Sequence, residues 1–476
     1  TRGTEGTSGT VICRGNMNYV IIGNSAAGVA AAESIRSIDQ ASRITIVDAE
    51  SYHVYSRPLI AAHVAGAMDE IAMRFRPSDF YASNRIEAIL DRRVTALDTS
   101  ARTCTLDDGC VLSFDKLLIA TGSVSRFPNI PGKDLPGVFD FWTLDDSKMI
   151  AARIKAANVQ QAVVIGAGLV GVQAAFGLRE AGLDVAMVEM LDYVLPRVLD
   201  RQAAQVVRRA MESSGLRIIT GSAVSAIQGT PSDGVKGVTL SDGQTLECGL
   251  VIRAAGVAPN VKLVEGTPIA WERGILVNEF FETTIPGIYA AGDVAQTHDV
   301  SLGGKFVNAN WPNAGEQGRV AGLNMAGRAT PYRGSISMTS VPVATKNRTL
   351  PVFSMGLIEP PDGNGYKARV RHNPERGIYQ KLVLRGDRLV GALLVGEADS
   401  VGLVNDLIRT QASAALVADS LLTERAPFYY FRRERVRQVT EGTGLSWKPS
   451  LSSPDKYEKR FDDARWAERE HGQRNW

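Results

Sequence analysis

The sequence predicts an α/β protein with two Rossmann-like dinucleotide-binding units, a smaller α+β region behind them and a C-terminal extension. Strand–turn–helix–strand patterns recur near 18–48 and 161–189, as "NYVIIGNSAAGVAAAESIRSIDQASRITIVDAE" and "AVVIGAGLVGVQAAFGLREAGLDVAMVEM". Each copy sets glycines between a short buried strand and a helix of small residues, the pattern of a phosphate-binding turn. From residue 331 the pattern shifts to shorter strand-like runs, followed by a helical "VGLVNDLIRTQASAAL" over 401–416. A chain that uses one nucleotide fold twice is expected to bind two nucleotides.

Length and composition bound the rest. A chain of 476 residues is long enough for two or three cores. With 53 basic and 51 acidic side chains, nothing in the charge balance suggests nucleic acid or an acidic membrane surface as partner. Small molecules and proteins are the expected partners. The four cysteines, Cys13, Cys104, Cys110 and Cys248, lack the paired spacing of a metal or iron–sulfur site. Cys104 and Cys110 flank the turn "LDDG" and read as hairpin positions. No apolar run reaches the roughly 18 residues that span a bilayer, and no signal peptide is visible, so the expected location is cytoplasmic. Residues 1–16 are Thr/Gly-rich and precede Met17, and they read as an extension outside the fold.

In the first unit, "YVII" is a buried strand, Gly23 and Gly28 bracket the turn, and a helix begins after Ser25 and Ala26. Such a turn points backbone N–H groups and the positive end of a helix at a pyrophosphate. Asp48 closes the second strand, where a carboxylate can accept hydrogen bonds from a ribose. The middle glycine of G-x-G-x-x-G is replaced by Ser25, small enough to let a phosphate approach.

The second unit keeps all its glycines, Gly166, Gly168 and Gly171, with Leu169 and Val170 opening the helix. Glu189 ends its second strand at the ribose position and would repel a 2′-phosphate. "MLDYVLP" after it offers no immediate arginine, and Arg197 comes only further on, so NADH is favoured over NADPH.

Further stretches complete the pattern: "LLIATGS" with Thr121 and Gly122, "VIRAAGVAPN" with Gly256, "GIYAAGDVAQ" with Gly292 and Asp293, and "NWPNAGEQGRVAGLNMAG" at 310–327. Over about 17–425 the chain resembles the pyridine-nucleotide-dependent flavoprotein reductases with two dinucleotide-binding domains. The resemblance implies FAD on the first unit, through Gly23, Ser25, Ala26, Gly28, Asp48, Arg57, Thr121, Gly122, Gly292 and Asp293. It implies NAD(H) on the second, through Gly166, Gly168, Leu169, Val170, Gly171, Glu189 and Gly256. The implied domains are 17–125 with 255–330 for FAD, 126–254 for NAD, and 331–425 as an interface domain.

"VYSRPLIA" within "SYHVYSRPLIAAHVAG" is most similar to the ferredoxin- and rubredoxin-reductase branch, which passes electrons to iron–sulfur or iron proteins. Disulfide reductases and peroxidases of the class place a cysteine near Arg57, and arginine can form no sulfenate or mixed disulfide. Nor is there a C-x4-C pair for dithiol chemistry. Electrons are therefore expected to leave directly from the flavin, with Tyr55 and Arg57 as flavin-site candidates; these two, with His53 and His63 nearby, are expected to pack or solvate the site rather than to transfer protons. Many relatives keep a lysine after this motif and a glutamate past the second fingerprint as an ion pair. Here those positions hold Ala62 and Gln173.

The expected protein is an FAD-dependent oxidoreductase transferring electrons between NAD(H) and an iron–sulfur or ferredoxin-like partner, within a hetero-oligomeric complex. It is similar to the flavin subunit of NADH-forming 2-oxoacid dehydrogenases of the phenylglyoxylate type. The alternatives are a stand-alone NADH oxidase or CoA-disulfide-reductase-like enzyme, and a non-catalytic flavin-binding interaction protein. Residues 426–476, rich in Trp, Tyr, Phe and Arg, are expected to dock a partner subunit.

Overall fold

The structure, a computed structural model, describes residues 16–422 apart from 347, 362, 364 and 416. The expected docking extension 426–476 and nearly all of the 1–16 extension lie outside the described residues.

The first sheet runs in the order Ile288–Ala290, Lys116–Ile119, Asn18–Ile22, Arg43–Val47, Ile86–Ile89, with every neighbour parallel. Four of its strands are largely buried, as a sheet covered on both sides requires, while the edge strand Ile86–Ile89 exposes Glu87. The helix Ala26–Ile38 packs on it together with the helix Trp311–Met325. Glycines allow that contact. A Cβ on Gly318 would lie 2.0 Å from the Ala27 carbonyl oxygen, and one on Gly322 would lie 2.4 Å from that of Ala31. The "GEQGRVAGLNMAG" stretch is therefore a packing surface for the first fingerprint helix.

The second sheet repeats the plan with the order Arg217–Thr220, Asp184–Glu189, Gln161–Ile165, Leu250–Arg253, Val138–Asp140, again all parallel. The chain leaves the first sheet through Ser123–Ser125 and returns through Val257–Pro259, and these two segments pair antiparallel. We keep the division 17–125 with 255–330, 126–254 and 331–425 as a proposal, placed at these crossings.

Behind them stands an antiparallel sheet in the order Met338–Ala344, Thr349–Gly356, Arg388–Val395, Ile378–Arg385, Tyr366–Asn373. Val341, Val343, Tyr379, Leu393 and Val395 share one core with Ala203 and Val207 of the helix Arg201–Ser213. The helical run expected over 401–416 stops at Thr410, because Gln411 adopts a left-handed conformation (φ 55°). Ser413 then bridges to Arg388, and the Ala414 amide bonds the Asp387 carbonyl at 2.7 Å. Sheet pairing overrides helix propensity there.

One buried polar cluster fastens this sheet to the second unit. Asp200 caps the helix Arg201–Ser213 by accepting from the Ala203 amide at 2.9 Å. Its other oxygen accepts from the Tyr379 hydroxyl at 2.7 Å and the Lys381 ammonium at 2.9 Å. Burial pushes this carboxyl up, but the Ala203, Tyr379 and Lys381 donors prevail and hold it below the usual carboxylate range. Its stabilisation is thus fully present above about pH 4, the unfolded value, and is lost as pH falls through the lower folded value. Asp200→Asn should cost about 3 kcal/mol or more, since the Lys381 charge loses its buried partner. Melting temperature followed between pH 6 and 3 should fall less steeply in the variant than in the parent, and parallel curves would show that Asp200 carries no such linkage.

Candidate functional site

The two fingerprint turns are built alike. The Gly23 amide bonds the Val47 carbonyl at 2.8 Å, and the Gly166 amide bonds that of Val188 at 2.7 Å. The next amide in each turn is taken by the acid ending the second strand: Asn24 N to Asp48 at 2.6 Å, Ala167 N to Glu189 at 2.7 Å. Each acid's other oxygen accepts from the amide two residues on, Glu50 N at 2.8 Å and Leu191 N at 3.0 Å. An ionised carboxylate has about four acceptor positions, so both retain capacity for ribose hydroxyls. Burial pushes the Asp48 carboxyl above its ordinary value.

The glycines divide by role. Gly23 (φ 119°) and Gly166 (φ 109°) hold backbone conformations closed to other residues. Gly28 and Gly171 do not line the cleft. A Cβ on them would meet the Gly23 and Gly166 carbonyl oxygens at 1.9 and 2.0 Å, so they serve by letting helix approach turn. Ser25 and Gly168 cap the two helices in extended conformations, φ −122° and −76°. Serine is therefore no strain in place of the middle glycine.

Both turns open on one cleft of about 1860 Å³. A drug-sized pocket occupies about 300–1,000 Å³, so this space suits two extended dinucleotides end to end. Ser25 and Gly168 make no side-chain capping bond, which leaves the first-turn amides facing the cleft for an anion. A Cβ on Gly168, Gly122 or Gly256 would meet nothing within 4 Å, so the cradle is open where pyrophosphate must come close. Asp293 also lines it, accepting from the Ser123 hydroxyl at 3.0 Å, with burial pushing its carboxyl up. The residues present fit FAD at the first turn and NAD(H) at the second.

Of the residues singled out in the sequence, Gly23, Ser25, Ala26, Asp48, Arg57, Thr121, Gly122, Gly292, Asp293, Gly166, Gly168, Leu169, Val170, Glu189 and Gly256 line this cleft. Tyr55 does not line the cleft. It is only 7 % exposed and stands behind the wall, where its hydroxyl donates to Glu50 at 2.6 Å and accepts from the Leu144 amide at 3.0 Å. Glu50, which the sequence reading passed over, lines the cleft and is ion-paired with Arg57. Arg57 also donates to the Trp142 carbonyl at 3.0 Å. Glu50 lies two positions after Asp48, the acid that ends the second strand, and that spacing was the available signal. His53 and His63 stay outside the cleft, with His63 Nδ1 3.0 Å from the buried Ser147 hydroxyl. Gln173 lines the cleft and Ala62 does not.

Among the described residues, no cysteine lines the cleft. Cys104 and Cys248 are buried, and burial pushes their thiols up to about 11 and about 12. No group of three metal-ligating side chains is present among the described residues, and no described helix is long and apolar enough to cross a membrane.

Comparison with known proteins agrees with this geometry. Residues 17–318 match the pyridine nucleotide-disulphide oxidoreductase family, and 346–412 match the rubredoxin NAD+ reductase C-terminal domain. The chain is 33% identical over 393 residues to the epsilon subunit of NADH-dependent phenylglyoxylate dehydrogenase from Aromatoleum evansii, covering 82% of this chain and 91% of the relative. It is 33% identical over 400 residues, 84% of its length, to the NAD(P)H nitrite reductase of Bacillus subtilis, but spans only 48% of that longer protein. A ferredoxin reductase structure from Rhodopseudomonas palustris superimposes with a TM-score of 0.74 at 28% identity, over 83% of this chain and 95% of that one. With two matched fingerprint turns facing one cleft and a family match over most of its length, the chain belongs to the pyridine nucleotide-disulphide oxidoreductase family.

Proposed function

We propose that this chain passes electrons between NAD(H) and an iron–sulfur or ferredoxin-like protein, without a redox-active cysteine and as a subunit of a hetero-oligomeric complex. The observation that carries this reading is a cleft with two dinucleotide cradles and no described cysteine in its wall. The rubredoxin-reductase C-terminal match, the ferredoxin reductase and the phenylglyoxylate dehydrogenase subunit support a protein partner. The cytoplasm is the proposed compartment, where thiols such as Cys104, Cys110 and Cys248 stay free.

Bound FAD supplies the exchange between two-electron hydride chemistry and one-electron carriers, and the protein supplies position and field. Asp48 and Glu189 would orient the two riboses while their turns hold the pyrophosphates. Asp293, steadied by Ser123, would take the flavin's polyol chain. Arg57, fixed by Glu50 and the Trp142 carbonyl, keeps a positive charge on the cleft wall in one orientation. Its side chain is 28 % exposed, so that field is only partly screened by water.

Assays with NADH should give fast anaerobic reduction of an iron–sulfur protein, slow anaerobic turnover with coenzyme A disulfide and, in air, slow turnover with oxygen. Turnover confined to oxygen or the disulfide would overturn the reading. Replacing Cys13, Cys104, Cys110 and Cys248 by serine or alanine should leave NADH-to-dye transfer near its starting rate, whereas a loss of about tenfold or more in a flavin-loaded protein would reveal thiol catalysis. Finally, Glu189→Ala with Leu191→Arg should raise the NADPH-to-NADH ratio of kcat/KM by about tenfold or more, by removing a repelling carboxylate and adding a phosphate donor. An unchanged ratio would mean that Glu189 does not meet the ribose.

A further inference from the structure

The segment from Met190 to Leu199 has no regular secondary structure, yet Leu191, Leu195, Pro196 and Arg197 line the cleft immediately after the ribose acid Glu189. It is pinned at three places. The Leu191 carbonyl accepts from the Gly221 amide at 2.8 Å. The Leu195 amide donates to the Ala167 carbonyl at 2.8 Å, and Ala167 is the residue whose own amide is held by Glu189. The segment's far end is Asp200.

Leu195 makes this arrangement informative. It is fully buried and left-handed at φ 51°. A bulky residue in that region costs on the order of 1–3 kcal/mol and persists only where its surroundings over-determine it. Its surroundings come from two sides. The second fingerprint turn bonds its backbone, while Val194, Leu195 and Leu199 share a core with Val341, Val343, Tyr379 and Leu393 of the C-terminal sheet. Asp200, 7 % exposed, ties the end of the segment to Tyr379 and Lys381 of that same sheet.

We propose that the Asp200–Tyr379–Lys381 cluster is a positioning device for the nicotinamide-nucleotide site, so that the C-terminal sheet holds the 190–199 wall in place and helps to set NAD(H) affinity. This rests on the reading that the second turn takes NAD(H). Tyr379 and Lys381 act through the wall and are positioning residues. Releasing the end of a strained segment lets Leu195 relax, and relaxation moves Arg197 and Leu191 away from the cradle.

The test uses the full-length, FAD-loaded protein with Tyr379→Phe, Lys381→Met and both together. Tyr379→Phe deletes one hydroxyl and leaves the ring to pack, and Asp200 still caps its helix. The KM for NADH should rise several-fold in each single variant and about tenfold or more in the double, the size expected on losing hydrogen bonds to a charged group. Calorimetric binding of NAD+ to the oxidised protein should weaken by the same factor. The kcat with dye, the KM for dye and the FAD content should hold, and Lys381→Arg should restore much of the affinity. Unchanged NADH KM and NAD+ binding in folded, flavin-loaded variants would overturn the proposal. Loss of FAD together with NAD+ binding would do so too, as would failure of both single variants to fold, because the cluster would then serve the core at large. A parent protein that binds no NAD(H) would instead defeat the reading of the second turn.

Discussion

The structure depends on a carboxylate that closes a glycine turn onto the end of a parallel strand. Asp48 and Glu189 each accept one amide from the turn before the helix and one from the residue two positions past themselves. The turn, the strand end and the helix N-terminus thereby become one rigid edge, and the remaining acceptor capacity faces the cleft. A buried carboxylate left short of donors would be costly. Backbone donors lower that cost before any ligand arrives, so the cradle is organised in advance of binding.

Two such edges must then be held in register across a hinge of two short antiparallel segments. Polar contacts from the first unit provide part of that hold. Arg57 and Tyr55 reach Trp142 O and Leu144 N at the start of the helix Leu144–Ala156. The Trp142 indole N–H donates to the Ser123 carbonyl at 2.8 Å, and the Ser123 hydroxyl bonds Asp293. The path runs from Glu50 through Arg57, Trp142 and Ser123 to Asp293, all of them residues that line the cleft. The C-terminal antiparallel sheet adds the Asp200 cluster, which ties it to the second unit.

Much of this was legible in the sequence because it rests on local rules. Gly23 and Gly166 are required by backbone conformation, Gly28 and Gly171 by close approach of helix to turn, and Asp48 and Glu189 by their place at a strand end. The departure at Ser25 brings no backbone strain, for a reason that only φ reveals. What the sequence hid was set by tertiary contact. Tyr55 and Arg57 lie in one motif, yet Arg57 faces the cleft while Tyr55 is buried behind Glu50. The helix pattern over 401–416 was cut short by strand pairing at Ser413. Asp200 lies 179 and 181 positions from Tyr379 and Lys381, too far along the chain for periodicity to join it to them.

The ion pair at the cleft bears on the two departures at Ala62 and Gln173. Removing both members of a family charge pair leaves no orphan charge, and the loss is then small in stability. The cleft nevertheless keeps a fixed cation–anion pair elsewhere in its lining. Glu50 and Arg57 are such a pair, with side chains 15 % and 28 % exposed. Neither depends on the other alone, since Glu50 also accepts from Tyr55 and Arg57 also donates to Trp142. A charge pair fastened at both ends is held in one orientation before any ligand binds, so its charges need little reorganisation to keep that geometry.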